Sequence, residues 1–294
     1  MFNAETEAGF DQTKAIASFL AQHYSGDNPN YGKVSNWIIG NEINNQQWNY
    51  MGPMDLTNYV KAYQKAFRVI YTAIKSTNAN DRVYFSLDYN WMNEIDGKLK
   101  YGGKEIVDSF NSIANTQGQM DWGLAYHPYP CPMTEPEFWD DPATGLVTES
   151  ADSPIVNFAN LHVLTDYLNQ DSMKTASGEV RHVILTEEGF TAQSLTRGDV
   201  SDIQAAAFAY SYYIVDSNPY IDAYILSRQV DAPSEVRAGL SFGLWSCDMN
   251  QGNEIVAVKD RKLWRVFHDI DQKRYTLETS NFAKSIIGIN KWSD

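Results

Sequence analysis

At 294 residues and 33.3 kDa, with 43 % hydrophobic and 20 % charged residues, the chain is long and apolar enough to bury a sizeable core, which excludes a disordered polymer. A net charge of −14 and a pI near 4.7 exclude nucleic acid, whose phosphates need a basic surface, and anionic membranes. No apolar run approaches the roughly 20 residues of a membrane helix, and the acidic balance suits a neutral substrate.

The opening stretch "MFNAETEAGF" has no basic or apolar leader region, so no signal peptide is visible. A helix is predicted over Asp11–Tyr24, then a short buried strand over Val34–Ile39. Leu56, Tyr59, Val60, Tyr63, Phe67, Ile70 and Ile74 form one stripe of a strongly amphipathic helix. A strand over Val83–Leu87, a helix near Lys104–Asn115 and a strand over Trp122–Tyr126 follow. The long loop "HPYPCPMTEPEFWDDPATG" leads to a predicted helix from about Pro154 to Asn169. Val183–Thr186 reads as a strand, Ile203–Val215 as a helix and Ala223–Ser227 as a strand. Helices around Arg261–Asp269 and Asn281–Ile287 complete the chain.

Short strands separated by helices imply βαβ units and a parallel sheet. Five such units fit an open doubly wound sheet or part of a (β/α)8 barrel, which needs eight. No GxGxxG or GxxxxGK[ST] turn follows any strand, and GxSxG is absent, which weakens a nucleotide-binding or hydrolase-elbow sheet. The two cysteines, Cys131 and Cys247, form no CxxC or zinc-spaced cluster; a disulfide between them stays open, and no cofactor or metal is expected. The acidic loop Glu135–Asp141 does not match the EF-hand spacing and reads as a solvated lid. Aromatics at 13 % fit either a Trp/Tyr-rich core or platforms that stack a sugar face.

In parallel α/β folds the functional residues gather at the C-terminal ends of strands. Those ends read Gly40-Asn41-Glu42, Asp88-Tyr89-Asn90-Trp91, His127-Pro128-Tyr129, Glu187-Glu188-Gly189 and Arg228-Gln229-Val230-Asp231. Each sets polar, aromatic or titratable groups directly after an apolar run. Two carboxylates facing one cavity suit glycoside hydrolysis: one protonated to give a proton to the leaving oxygen, one ionised to attack the anomeric carbon. Retaining enzymes hold them about 5–5.5 Å apart, and each pushes the other's pKa.

"WIIGNE", followed by "VILTEEGF" with His127-x-Tyr129 between them, resembles the large clan of (β/α)8 retaining glycoside hydrolases. "NWIIGNEINNQQWNYMG" and "LSRQVD" most resemble, within that clan, an uncharacterised bacterial domain-of-unknown-function group. The resemblance spans essentially the whole chain. It implies one domain over residues 1–294, a TIM barrel of which this chain covers strands 4–8. It makes Glu42 the acid/base, Asn41 the partner of the sugar 2-hydroxyl and Glu187 the nucleophile. His127 and Tyr129 match the clan's His-x-Tyr, whose tyrosine orients the nucleophile. Arg228 is a candidate for binding a substrate hydroxyl or carboxylate, and Trp245 and Trp91 are candidate stacking platforms. Glu188 is the alternative nucleophile; side-chain alternation turns one of the adjacent pair away from the site. Asp88 and Asn90 read equally as cleft wall or turn.

Only 33 residues precede the Val34 strand, and they read as one helix, so the chain starts within the third βα unit of the clan pattern. Raw parallel sheet edges favour self-association. The resemblance also implies a secreted or cell-surface parent. A non-catalytic carbohydrate-binding barrel is the competing reading. The tetrapeptide Gly-Asn-Glu-Ile recurs at Gly252–Ile255, but there it follows a polar loop, so Glu254 is expected to be a loop residue.

Overall fold

The structure is a computed structural model that describes residues 2–93 and 97–293. Its main sheet has five parallel strands: β1 (Asn36–Ile38), β2 (Arg82–Asp88), β3 (Trp122–His127), β4 (Val183–Leu185) and β5 (Ile221–Tyr224), in that order. The main helices are α1 (Glu7–Tyr24), α2 (Leu56–Thr77), α3 (Gly103–Gln117), α4 (Ser201–Asp216) and α5 (Lys262–Asp269). Strands alternating with helices make this a partial (β/α)8 fold. Among the described residues no helix is long and apolar enough to cross a membrane.

The chain divides into two compact units. The first comprises Met1–Tyr126, Asp152–Ile155 and Thr165–Ile184. Its longest helix, α2, starts where the Asp55 carboxylate accepts the Asn58 N–H at 3.0 Å, and it buries the predicted stripe of Tyr59, Val60, Tyr63, Phe67, Ile70 and Ile74. Phe67 of this stripe meets Phe85 of β2 and Phe110 of α3, and Phe110 in turn meets Trp122 of β3, so most of the aromatic surplus here is core rather than platform. From Val83 onward β2 is buried at every position, as expected of a parallel strand covered on both faces. Gly123 lets β3 approach its neighbours: a Cβ there would lie 2.4 Å from the Tyr84 ring and 2.9 Å from the His182 carbonyl oxygen. The strand β1 is shorter than the apolar run predicts and half exposed; Asn36 pairs with Arg82 and Ile38 with Tyr84.

The second unit comprises His127–Ala151, Val156–Leu164 and Leu185–Asp294. Phe138, Phe158, Phe190, Phe208 and Tyr224 pack ring to ring in its core. The Ile225 N–H donates to Leu185 O at 2.9 Å and the Ser227 N–H to Glu188 O at 2.8 Å. β5 is therefore the regular part of a longer extended run, which displaces the predicted strand by a few residues. The predicted helix from Pro154 to Asn169 is broken. Pro154 O accepts the Trp91 N–H at 2.9 Å in the first unit, and Asn157 caps a single 3-10 turn at Phe158–Asn160. Only His162–Leu168 is α-helical there. The helix predicted around Asn281–Ile287 is present as Ala283–Ile287, and a further short helix, Thr276–Ser280, precedes it. Sequence periodicity also misses a hairpin of Trp245–Cys247 with Ala257–Asp260. Both cysteines are free thiols, so the structure has no disulfide between them.

Candidate active site

In the first unit the chain leaves β1 through two residues with left-handed backbone. Gly40 has φ +86°, and a Cβ on it would lie 3.1 Å from the Ile43 Cγ2. Glu42 has φ +41°, a conformation that is uncommon for a side-chain-bearing residue and costs it on the order of 1 kcal/mol. Four contacts hold it there. The Glu42 N–H donates to Ser86 Oγ at 3.1 Å, and the Ile43 N–H to Ser86 O at 2.8 Å. Asn49 Nδ2 reaches Asn41 O at 3.3 Å, and the Tyr63 hydroxyl donates to Ile39 O. The Trp48 indole Nε1–H donates to Glu42 Oε2 at 2.6 Å, so the side chain is oriented as well as the backbone. Asn41 is exposed.

Asp88, at the end of β2, is a buried bracing residue. Its Oδ1 accepts from Asn44 Nδ2 at 2.6 Å and from the Asn90 N–H at 2.9 Å; burial, more than any charge, raises its pKa. Trp91, expected as a stacking platform, is instead fully buried, with its ring edge-on to Tyr167 at 5.4 Å. An indole enclosed on all sides offers no face to a sugar.

In the second unit the expected residues of two strand ends come together. The Tyr129 hydroxyl donates to Glu187 Oε1 at 3.0 Å, and His127 Nδ1 lies 3.8 Å from Glu187 Oε2. His127 Nε2 is 3.1 Å from Thr186 Oγ1, which fixes the imidazole edge-on. Burial, then the Glu187 charge, pushes the Tyr129 phenol well above its usual range, so it remains a donor. Tyr129 and His127 are buried, whereas the Glu187 side chain is 40 % exposed. Its neighbour Glu188 points the other way and is fully buried, and among the described residues neither carboxyl oxygen has a hydrogen-bond partner. Burial, then Glu187, pushes the Glu188 carboxyl pKa well above its usual value. Alternation thus resolves the adjacent pair: only Glu187 is open to a ligand.

Arg228 follows Ser227, whose N–H binds Glu188 O, and pairs through Nη2 with Glu235 of the short helix Pro233–Arg237. Beyond it Asp231 is tied to Arg261 at 2.5 Å and accepts the Gly243 N–H at 2.7 Å. The Trp245 N–H donates to Gln229 O at 3.1 Å; its half-buried ring packs on Trp264 at 4.6 Å. Three of the four acids of the loop Glu135–Asp141 are partnered. Glu135 and Glu137 hold Arg197, and Asp141, raised by burial to about 7, accepts from the Cys131 N–H and Asn157 Nδ2. Glu254 lies exposed in a turn, as expected of the second Gly-Asn-Glu-Ile copy. Trp48 and Glu235 were not expected. Trp48 stands six residues after Glu42, and Glu235 seven after Arg228, within reach of each local motif.

These strand ends define a protein of the (β/α)8 class. The chain belongs to the family of unknown function DUF5722, which matches residues 1–294. No curated protein sequence matches it. Among solved structures it is similar to a glucosidase from Croceicoccus marinus, with TM-score 0.51 and 14 % identity over 83 % of this chain and 43 % of that one. It is also similar to a family 39 glycoside hydrolase from the gut symbiont Bacteroides cellulosilyticus WH2, with TM-score 0.52 and 19 % identity over 82 % and 42 %. The chain spans less than half the length of either. At such identity the likeness defines the fold.

Proposed function

We propose that the protein is a retaining glycoside hydrolase in which Glu187 is the nucleophile and Glu42 the acid/base. The observation that carries this reading is the Glu187 carboxylate, open to solvent at a strand end yet held by the buried Tyr129 hydroxyl at 3.0 Å. The fold neighbours, a glucosidase and a family 39 glycoside hydrolase by name, support the same class.

In the first step a Glu187 oxygen attacks the anomeric carbon while the glycosidic bond breaks and the leaving oxygen takes the proton of Glu42. In the second, Glu42 removes a proton from water, which attacks the anomeric carbon and frees Glu187. The Tyr129 donor shares the nucleophile's charge and sets which lone pair faces the sugar. In this reading the exposed Asn41 binds a sugar hydroxyl and the half-buried Trp245 is the stacking platform. Product anomers followed by proton NMR test the mechanism on a panel of aryl glycosides. Net retention with turnover lost in Glu187→Gln supports it; inversion, or wild-type rates in Glu187→Gln, refutes it. Sugar binding unaffected by Glu187→Gln, with no turnover in either protein, identifies a binding protein instead.

A further inference from the structure

The last strand end carries a charge arrangement that bears on which sugar is taken, and the argument rests on the glycoside-hydrolase reading of Glu187. The Ser227 N–H donates to Glu188 O at 2.8 Å, so Arg228 follows directly beside the backbone of the Glu187–Glu188 pair. Among the described residues the Arg228 guanidinium makes one hydrogen bond, from Nη2 to Glu235 Oε1. Its side chain is 34 % exposed, and its Nε is buried. Glu235 lies within the field of both Glu187 and Asp231.

The charges at this end can be summed. Asp231 is neutralised by Arg261. Arg228 is neutralised by Glu235. Glu187 adds an acid whose side chain is 40 % exposed, and Glu188 is fully buried. A substrate carboxylate arriving at Arg228 would meet a cation that already has its counter-charge, with Glu187 close by, and like charges at such range disfavour one another. A sugar hydroxyl carries no charge and accepts readily from an outer guanidinium N–H. Arg228 is thus a hydroxyl donor held in place, and Glu235 is both its brace and a barrier to anions.

We propose that Arg228, pinned by Glu235, binds a hydroxyl of the sugar next to Glu187 and makes the protein selective for neutral glycosides over uronides. The test uses the full chain and matched pairs of 4-nitrophenyl glycosides, glucoside with glucuronide and galactoside with galacturonide. Turnover is measured with the native protein and calorimetric binding with Glu187→Gln. The neutral member of at least one pair is expected to win by tenfold or more in both readouts. Arg228→Lys should raise KM for that glycoside about tenfold with a smaller effect on kcat. Glu235→Gln should move the neutral-to-uronide ratio about tenfold toward the uronide, a change that a merely structural brace would not produce.

A uronide bound as well as its neutral partner would overturn the proposal. So would a ratio unmoved by Glu235→Gln, or no binding of any member. Neutral-selective binding without turnover leaves the selectivity intact and removes the hydrolase reading, so the two failures are distinct.

Discussion

Glu42 and Glu187 each follow a strand, but they are held by different devices. Glu42 sits on left-handed backbone and takes its orienting hydrogen bond from Trp48, an exposed indole six residues away. Glu187 takes its bond from Tyr129, a buried phenol 58 residues away on a different strand end, with His127 alongside. The first device is local: a glycine at φ +86°, a strained glutamate and a short turn of chain, Gln46–Asn49, carrying the tryptophan. The second is assembled by the sheet. In the proposed mechanism Glu42 must gain and lose a proton, which suits an exposed partner that can let go. A nucleophile must hold one charge in one direction, which suits a buried donor that stays protonated.

The comparison can be broken at its strongest point first. Glu187→Gln removes the attacking oxygen's charge, and turnover of any aryl glycoside should fall by at least about 10⁴-fold in a continuous release assay. Glu42→Gln should cost about 10²–10⁴-fold with poor leaving groups and much less with a dinitrophenol, because an activated leaving group needs no proton. Equal losses across leaving groups would remove Glu42 from the acid role. Tyr129→Phe takes one hydrogen bond from a charged oxygen, so kcat should fall about 10–100-fold with the melting temperature little changed.

Glu188 sharpens the contrast through stability. Its folded pKa is raised, so above the unfolded pKa of about 4.3 the folded state binds more protons than the unfolded one. Stability then declines as pH rises from there toward the folded pKa. Glu188→Gln removes that decline: melting curves should show the variant gaining on the native protein as pH rises above about 5, while turnover persists. Parallel curves would contradict the buried neutral acid. The smallest effect is expected at the second Gly-Asn-Glu-Ile copy, where Glu254→Ala should leave rate unchanged and stability within about 0.5 kcal/mol.

Much of this arrangement is legible in the sequence because it follows from periodicity. The α2 stripe, the buried run of β2 and the polar residues after each strand all come from patterns of neighbouring residues. Alternation also foretold that one of Glu187 and Glu188 would turn inward; burial shows which. The misses are non-local or depend on caps. Pro154 and Asn157 spend their polar groups on Trp91 and on a 3-10 turn, so the apolar periodicity of that stretch delivers only His162–Leu168 as helix. Trp91 has the composition of a platform and the position of a core residue, a distinction set by Tyr167 packed against it. Arg228 was visible as a cation at a strand end, but Glu235, which changes what that cation can bind, lies on a short helix with no periodic signal.

The central claim is that Glu187, and not Glu188, forms the covalent bond. A 2-deoxy-2-fluoro glycosyl fluoride of whichever sugar is turned over slows the second step and traps the intermediate, and peptide mapping by mass spectrometry locates it. One label per chain is expected, on Glu187, accumulating as activity is lost. A label on Glu188, or inactivation with no covalent adduct, would contradict it.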